Sequence, residues 1–347
     1  MAKLETKSAG ETLAHKKLDI QKLLAPAALV ILYVFFSFAG NNFFTVDTLK
    51  NILESSYYIG FMAFGVTFII ITGGIDLSLG TVMMCSALLG AYVFKQLHWP
   101  LIIALLVTVG VGTAFGFLNG VFVAKLKLPP FIATLGTMFG ARGVAYMVNG
   151  NRNTDAIASG IGKEAADTFG NFFYYGSTLG IYNTFWIAIA LFAVFFFLLS
   201  GTRTGRHIYA IGSNVDAAKL SGVSVLATTT KAYLVSAFCS CVVGLILCGQ
   251  AGMGNMEAGN MYEMYGVAAG VIGGVSPLGG TGILLGTLAG AAVWQTLENG
   301  LNMIGAQVGI QRLVIGIIVV GAVFLDVVVR NGAHKKKPAK SGAAKTN

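Results

Sequence analysis

The fold class the sequence predicts is an all-α polytopic membrane protein, and three observations carry it. Only 11% of the 347 residues are charged and 55% are hydrophobic, whereas a soluble domain carries roughly 25% charged residues. Apolar runs close to the ~20 residues that cross a bilayer as a helix follow one another along the chain. The basic residues gather in a few places: of 23 Lys and Arg, five lie in Met1–Lys22 and six in Arg330–Asn347. Four more fall in one central loop (Arg203, Arg206, Lys219, Lys231), and Lys125 with Lys127 marks a short turn. Such clustering at alternate membrane ends is a topology signal. It makes the net charge of +9 a statement about orientation, and no nucleic-acid partner is expected.

About ten transmembrane segments are expected, with both termini cytoplasmic. Residues 1–22 form a polar cytoplasmic tail, 23–329 the transmembrane domain and 330–347 a basic cytoplasmic tail. Leu23–Ala39 is the first span. Ser37-Phe38-Ala39 loosely resembles a signal-peptide cleavage site, but the many spans after it favour an uncleaved helix. Asn41–Ser56 would lie outside as an interfacial piece, and Tyr57–Thr72 is the second span, ended by Gly73-Gly74. After Asp76 and Ser78 apolar character resumes through Phe94, and His98-Trp99-Pro100 turns at the outer interface. Leu101–Ala124 returns inward, and Pro129-Pro130 prevents that helix from continuing. Phe131–Val148 goes out, carrying Arg142, and Asn149–Asn183 is the longest external segment. Thr184–Ser200 leads to the central loop, Gly201–Lys231. Ala232–Gly252 goes out, and Tyr265–Gly274 is too short to span and again ends in Gly-Gly. Leu278–Gly282 is a glycine-rich turn, and Ile283–Ile304 and Ile310–Val329 complete the set.

Gly73–Val93 and Gly273–Val293 form an internal repeat at an offset of 200, with eight of 21 positions identical. Both copies place a Gly-Gly break after a short span, and Gly-interrupted helices in two halves point to a translocation pathway. Gly112, Gly116 and Gly120, and again Gly282, Gly286 and Gly290, recur every four residues, a spacing that lets helices approach closely in lipid.

The central loop interrupts this apolar sequence. Within it Asn214–Gly222 reads as a short amphipathic helix, with Asn214 as N-cap, Asp216 in the first turn and Gly222 at its stop. A helix offered to the cytoplasm needs something to dock against. The chain carries no G-x-x-x-x-G-K-[ST], G-x-S-x-G or H-E-x-x-H sequence, so it is not expected to be an enzyme. Cys85, Cys239, Cys241 and Cys248 sit in apolar runs as small core residues, the histidines are scattered, and no metal site is expected.

Charges inside apolar runs demand a reason, and Asp76, Arg142, Glu263, Glu298, Arg312 and Asp326 are the candidates. Asp76 suits capping of the following helix through the N–H of Ser78 or Leu79. Glu298, Asn299 and Asn302 lie on one helix, with Glu298 and Asn302 at i, i+4. That stripe could line a pore for a hydroxylated solute or hold two subunits together. The expected pathway set is Gly73, Gly74, Asp76, Ser78, Arg142, Gly273, Gly274, Glu298, Asn299 and Asn302.

Three stretches together resemble a known family: Thr72–Gly80 (TGGIDLSLG), Pro130–Thr137 with Arg142-Gly143, and the central loop from Gly205-Arg206 through Gly212-Ser213-Asn214 to Ser221-Gly222. With Gly273-Gly274, Gly279-Gly280 and Asn299–Asn302 they make the chain look like the permease subunit of bacterial ABC importers of the ribose, xylose and galactose class. The likeness runs from about Asn42 to Asp326. It implies a monosaccharide importer built on two permease chains, identical or not, with an extracytoplasmic sugar-binding protein delivering the solute. A cytoplasmic ATPase would hold the ATP and Mg, and this chain would bind no cofactor. Asp216-Ala217-Ala218 with Gly222 is similar to the EAA-x-x-x-G coupling sequence of importer permeases. That assigns ATPase coupling to Arg203, Gly205, Arg206, Asn214, Asp216, Ala217, Ala218, Ser221 and Gly222. Family members often carry Tyr-Glu-Leu-Asp where this chain has Tyr262-Glu263-Met264-Tyr265, so Tyr265 replaces an acid. The sequence shows few aromatic and carboxylate pairs suited to gripping a hexose, so sugar affinity is expected mainly in the binding protein. The alternative is an ion-coupled secondary transporter using Asp76, Glu298 and Arg142.

Overall fold

A computed structural model describes residues 25–40, 42–157 and 163–334. In order they form α1 (Ala25–Ala39), α2 (Val46–Ile71), α3 (Leu79–Lys95), α4 (Leu101–Ala124), α5 (Pro130–Asn149) and α6 (Lys163–Gly170). A π-helical turn (Asn171–Tyr175) and a two-strand hairpin, β1 (Ser177–Thr178) and β2 (Ile181–Tyr182), come next. The remainder is α7 (Asn183–Gly201), α8 (Arg203–Ser213), α9 (Val215–Leu220), α10 (Val225–Ala251), α11 (Tyr262–Ile272), α12 (Leu284–Met303) and α13 (Val308–His334). Residues 1–22 and 335–347 lie outside the described residues, and the first five residues expected in the C-terminal tail, 330–334, are instead the end of α13.

Five of these helices (α2, α4, α5, α7 and α10) are long and apolar enough to cross a membrane. They differ in what they face. In their most apolar windows α2 and α10 are 88% and 78% buried, against 17–28% for α4, α5 and α7. The first two are therefore the centre of the bundle. The others turn side chains such as Ile102, Leu106, Phe139 and Phe197 outward, as helices in contact with lipid do.

Glycine makes the close crossings. A Cβ on Gly112 would overlap the Cys241 sulfur, on Gly116 the Ala237 methyl, and on Gly120 the Thr230 backbone, so this four-residue stripe seats α4 antiparallel against α10. Gly286 and Gly290 do the same for α12 against α11, at the Gly273 and Ala269 carbonyls. Gly282 lies in the preceding turn against Val275 and Ile71.

Two boundaries differ from the sequence reading. Residues 46–56 are the first turns of α2, where the sequence reads as an external piece: the Thr45 hydroxyl accepts the Thr48 N–H at 3.1 Å, and Ile52 is buried beside Phe36 and Phe43. The central loop ends earlier than Lys231, because the Ser224 hydroxyl accepts the Ala227 N–H and starts α10 at Val225. Lys231 thus belongs to α10.

Both Gly-Gly pairs end a helix through the same closure. After α2, Gly73 (φ +81°) donates its N–H to the Ile70 carbonyl and Gly74 to Ile69. After α11, Gly274 (φ +85°) donates to Val271 and Val275 to Gly270. These are Schellman closures, but the second falls one residue later. The next helices also start out of step, at Leu79 and Leu284. Gly80 is inside α3 while Gly280 is in a turn at φ +73°. The two copies therefore share the break, but their helices beyond it are not matched residue by residue.

Candidate functional site

One end of the bundle, the loop end, is built around α8 and α9; the far end lies opposite. The Thr202 hydroxyl accepts the Gly205 N–H and caps α8, a helix that sequence reading alone takes as loop. Its buried Ile208 and Ile211, three residues apart, are the signal that reveals it. Asn214 caps α9 as expected, its Oδ1 accepting the Ala217 N–H at 2.9 Å. Asp216 lies in the first turn, with the Lys219 ammonium 3.2 Å away. Gly222, at φ +80°, stops the helix by donating to the Lys219 carbonyl while Val223 donates to Ala218. Of α9 only Ala218 is buried. Arg203, Arg206, Asp216, Ala217 and Ser221 are exposed, and so are apolar Val215, Leu226 and, at 92%, Leu220. Bare leucine on a capped surface helix marks an unsatisfied face.

The other side of α8 is joined at one point to the end of α2 and to the glycine-rich turn ahead of α12. The Gly280 N–H donates to the Ile71 carbonyl at the end of α2 (2.8 Å). Gly212 packs against that same carbonyl with no room for a Cβ. A Cβ on Gly279 would come within 3.0 Å of the Gly212 carbonyl and the Gly73 nitrogen. The Tyr209 hydroxyl donates to the Gly282 carbonyl at 2.6 Å, and burial raises its pKa, which keeps it a donor. α8 therefore packs on the end of α2 and on the Gly279–Gly282 turn together.

A buried polar chain leads away from the first break. The Asp76 Oδ1 accepts the Ser78 N–H (2.9 Å) and hydroxyl (2.6 Å), the capping geometry expected of Asp76. The Asn119 amide of α4 donates to the Ser78 Oγ at 2.9 Å. Its Oδ1 in turn accepts the Thr137 hydroxyl of α5 at 2.6 Å. Asp76, Ser78 and Asn119 are 1–2% exposed. Two of the three stretches that carry the resemblance, Thr72–Gly80 and Pro130–Thr137, thus meet through Asn119. Sequence reading misses Asn119 because it stands alone within an apolar run.

At the far end a cavity of about 550 Å³ opens between α2, α10, α11 and α12. Tyr58, Tyr262 and Tyr265 line it with Gln250, Asn255, Glu257, Asn260 and Glu298. Tyr58 lies 13 residues before the end of α2, so the cavity stops about 20 Å short of the first break at 1.5 Å per residue. The expectation of few aromatic and carboxylate pairs is overturned here: three tyrosines and two carboxylates, scattered in sequence, converge.

Of the expected pathway residues, Glu298 lines this cavity. Gly73, Gly74, Gly273 and Gly274 are at the helix stops, and Asp76 and Ser78 belong to the buried chain. Arg142 is half-buried on α5, and its charge acts on Glu263. The Glu298–Asn302 stripe is not formed as a lining. Asn299 donates to the Gln295 carbonyl of its own helix at 3.0 Å, and Asn302 accepts the Gln311 amide at 2.7 Å across the turn into α13. Arg312 lies 5.6 Å over the Tyr265 ring, and the Asp326 side chain is outside the description.

A family model described as branched-chain amino acid transport system / permease component matches residues 48–323. The ribose import permease protein of Haemophilus influenzae is 36% identical over 299 residues, covering 86% of this chain and 91% of the relative. The fructose import permease protein of Rhizobium meliloti is 31% identical over 332 residues, 92% of each chain. The autoinducer 2 import system permease protein of Salmonella typhi is 30% identical over 300 residues, covering 86% and 83%. No solved structure shows a significant match. The match spans both helix breaks, the α8–α9 end and the far-end cavity, and the chain belongs to this family of membrane transport permease components.

Proposed function

We propose that the chain is the membrane subunit of an ATP-driven monosaccharide importer, with the far-end cavity facing outward and α8–α9 facing the cytoplasm. The single observation that carries the reading is the junction of Gly212, Ile71 and Gly280, which joins an exposed, capped surface helix pair to the first break and to the turn ahead of α12. The sugar assignment draws on the relatives named for ribose and fructose import. Sidedness rests on charge: Lys125 and Lys127 sit at the loop end with Arg203, Arg206 and Lys219, and the sequence before α1 and after α13 is rich in Lys.

In this reading a separate ATPase receives α9 in a cleft, with Leu220 and Val215 as its apolar contacts. Closure of two ATPases on nucleotide moves α8, and α8 shifts the end of α2 and the Gly279–Gly282 turn against the fixed α4–α5 side held by Asn119. The outward cavity narrows or opens accordingly. A binding protein delivers sugar to the far end, and a second permease chain completes the pathway. All ATP chemistry lies on the partner. The buried carboxylate of Asp76 is what speaks for ion coupling instead, and its Ser78 hydrogen bonds fit a structural role. Proteoliposomes holding the permease with its co-purified partners decide between the two. ATP-dependent uptake of a labelled monosaccharide, insensitive to ionophores, is expected. Uptake that tracks a proton or sodium gradient without ATP contradicts the proposal.

A further inference from the structure

The far-end cavity has two unlike walls. Along one, Tyr58, Tyr262 and Tyr265 stand edge to face, with successive ring centroids 5.7 Å apart. The Tyr265 ring is held from behind, 5.1 Å from buried Trp294, and covered by the Arg312 guanidinium at 5.6 Å. A ring fixed on two sides loses little freedom when a ligand arrives, which favours binding. The rest of the lining offers the carboxylates of Glu257 and Glu298 and the amide of Asn260. Among the described residues no lysine, arginine or histidine lines the cavity. Its volume of about 550 Å³ falls within the range of small-molecule sites.

We infer that this cavity is itself a weak binding site for an uncharged polyhydroxylated ring, and that its two carboxylates reject phosphorylated and carboxylated forms of the same solute. The tyrosine wall takes the C–H face of the ring, and the carboxylates and amide take hydroxyl groups. An anionic substituent meets two like charges in the lining, while the Arg312 guanidinium is engaged over the Tyr265 ring, and the contact costs at least about a tenfold loss of affinity. The inference rests on the permease reading for the direction of transport, but the site needs neither ATPase nor binding protein to be observed.

Saturation-transfer NMR on the permease alone, in nanodiscs, tests it with a panel of neutral pentoses and hexoses, ribose and fructose included, and with their monophosphates. Transfer is expected to the ring C–H protons of at least one neutral sugar, with the monophosphate at least about tenfold weaker. Tyr265→Ala should abolish the transfer, and Tyr265→Phe, which keeps the ring and its packing on Trp294, should retain it. Glu257→Gln with Glu298→Gln should raise the monophosphate signal towards that of the neutral sugar. No transfer to any neutral sugar, or equal transfer to the phosphorylated form, overturns the inference. ATP-driven uptake without saturation transfer leaves the importer reading standing and removes this site. Saturation transfer without ATP-driven uptake does the reverse.

Discussion

Adding one methyl group at Gly212 separates a transmitting joint from an ordinary helix end. Gly212 is the second-last residue of α8, and a Cβ there would overlap the Ile71 carbonyl oxygen and crowd the Gly280 nitrogen. Both are backbone, so no side chain can rotate away. Gly→Ala within a helix ordinarily stabilises by about 0.5–1 kcal/mol, whereas forcing a methylene into a packed site costs about 1–3 kcal/mol. The second effect dominates here, so Gly212→Ala should destabilise by up to about 2 kcal/mol. Gly136→Ala is the control: it lies in α5 with nothing within 4 Å of the added atom, and it should be neutral or stabilising. The assay is thermal unfolding of both variants, and then sugar taken up per ATP hydrolysed in proteoliposomes. Gly212→Ala should hydrolyse ATP yet transport less per turnover, because α8 can no longer seat on the end of α2 and the Gly280 turn together. If it stabilises as much as Gly136→Ala and uptake per ATP is unchanged, the joint is not where force passes.

Neighbouring contacts give further expected outcomes. Tyr209→Phe removes the donor to Gly282 and should lower coupled uptake with unfolding shifted by about 1 kcal/mol; no change in uptake would place the transmission elsewhere. Asn119→Leu removes the link between Ser78 and Thr137, whose hydroxyls keep Asp76 and the Thr134 carbonyl as acceptors, and should cost about 1 kcal/mol per lost bond, read as earlier thermal unfolding. Gly116→Leu drives a side chain into Ala237 and the Tyr233 backbone. It should prevent folding of the α4–α10 pair, seen as loss of monodisperse protein on size-exclusion chromatography. Gly222→Ala forces a Cβ into the left-handed region and should cost about 1–2 kcal/mol in the α9 closure, read as faster hydrogen exchange at Val223.

Most of the architecture is legible in the sequence because the bilayer restricts the choices: long apolar runs become helices within a few residues of the expected ends. Leu101–Ala124 agrees to the residue. The Gly-Gly stops, the Asn214 cap and the Asp76 turn are legible too, since each depends on neighbours in sequence. Other features depend on long-range packing. Residues 46–56 look polar enough for a loop until Ile52 finds Phe36. Asn302 has the right spacing to share a pore face with Glu298, but Gln311 takes it. The cavity draws Tyr58, Asn260 and Glu298 from positions up to 240 residues apart, and nothing local marks them as neighbours. Eight identities between the repeats suggest a common register for α3 and α12. The second break is longer, so most of those identities fall at different places on the two helices.

The central claim is that α9 docks an ATP-hydrolysing partner which drives this permease, and co-purification tests it most directly. The detergent-extracted wild-type protein and variants carrying Leu220→Glu or Asp216→Lys are captured, and the ATPase activity that comes with each is measured. The account predicts an ATPase bound to the wild type and lost, or released at lower salt, from both variants, with the permease itself still monodisperse. A wild-type protein that carries no ATPase, or variants that keep theirs with sugar uptake undiminished, would contradict it.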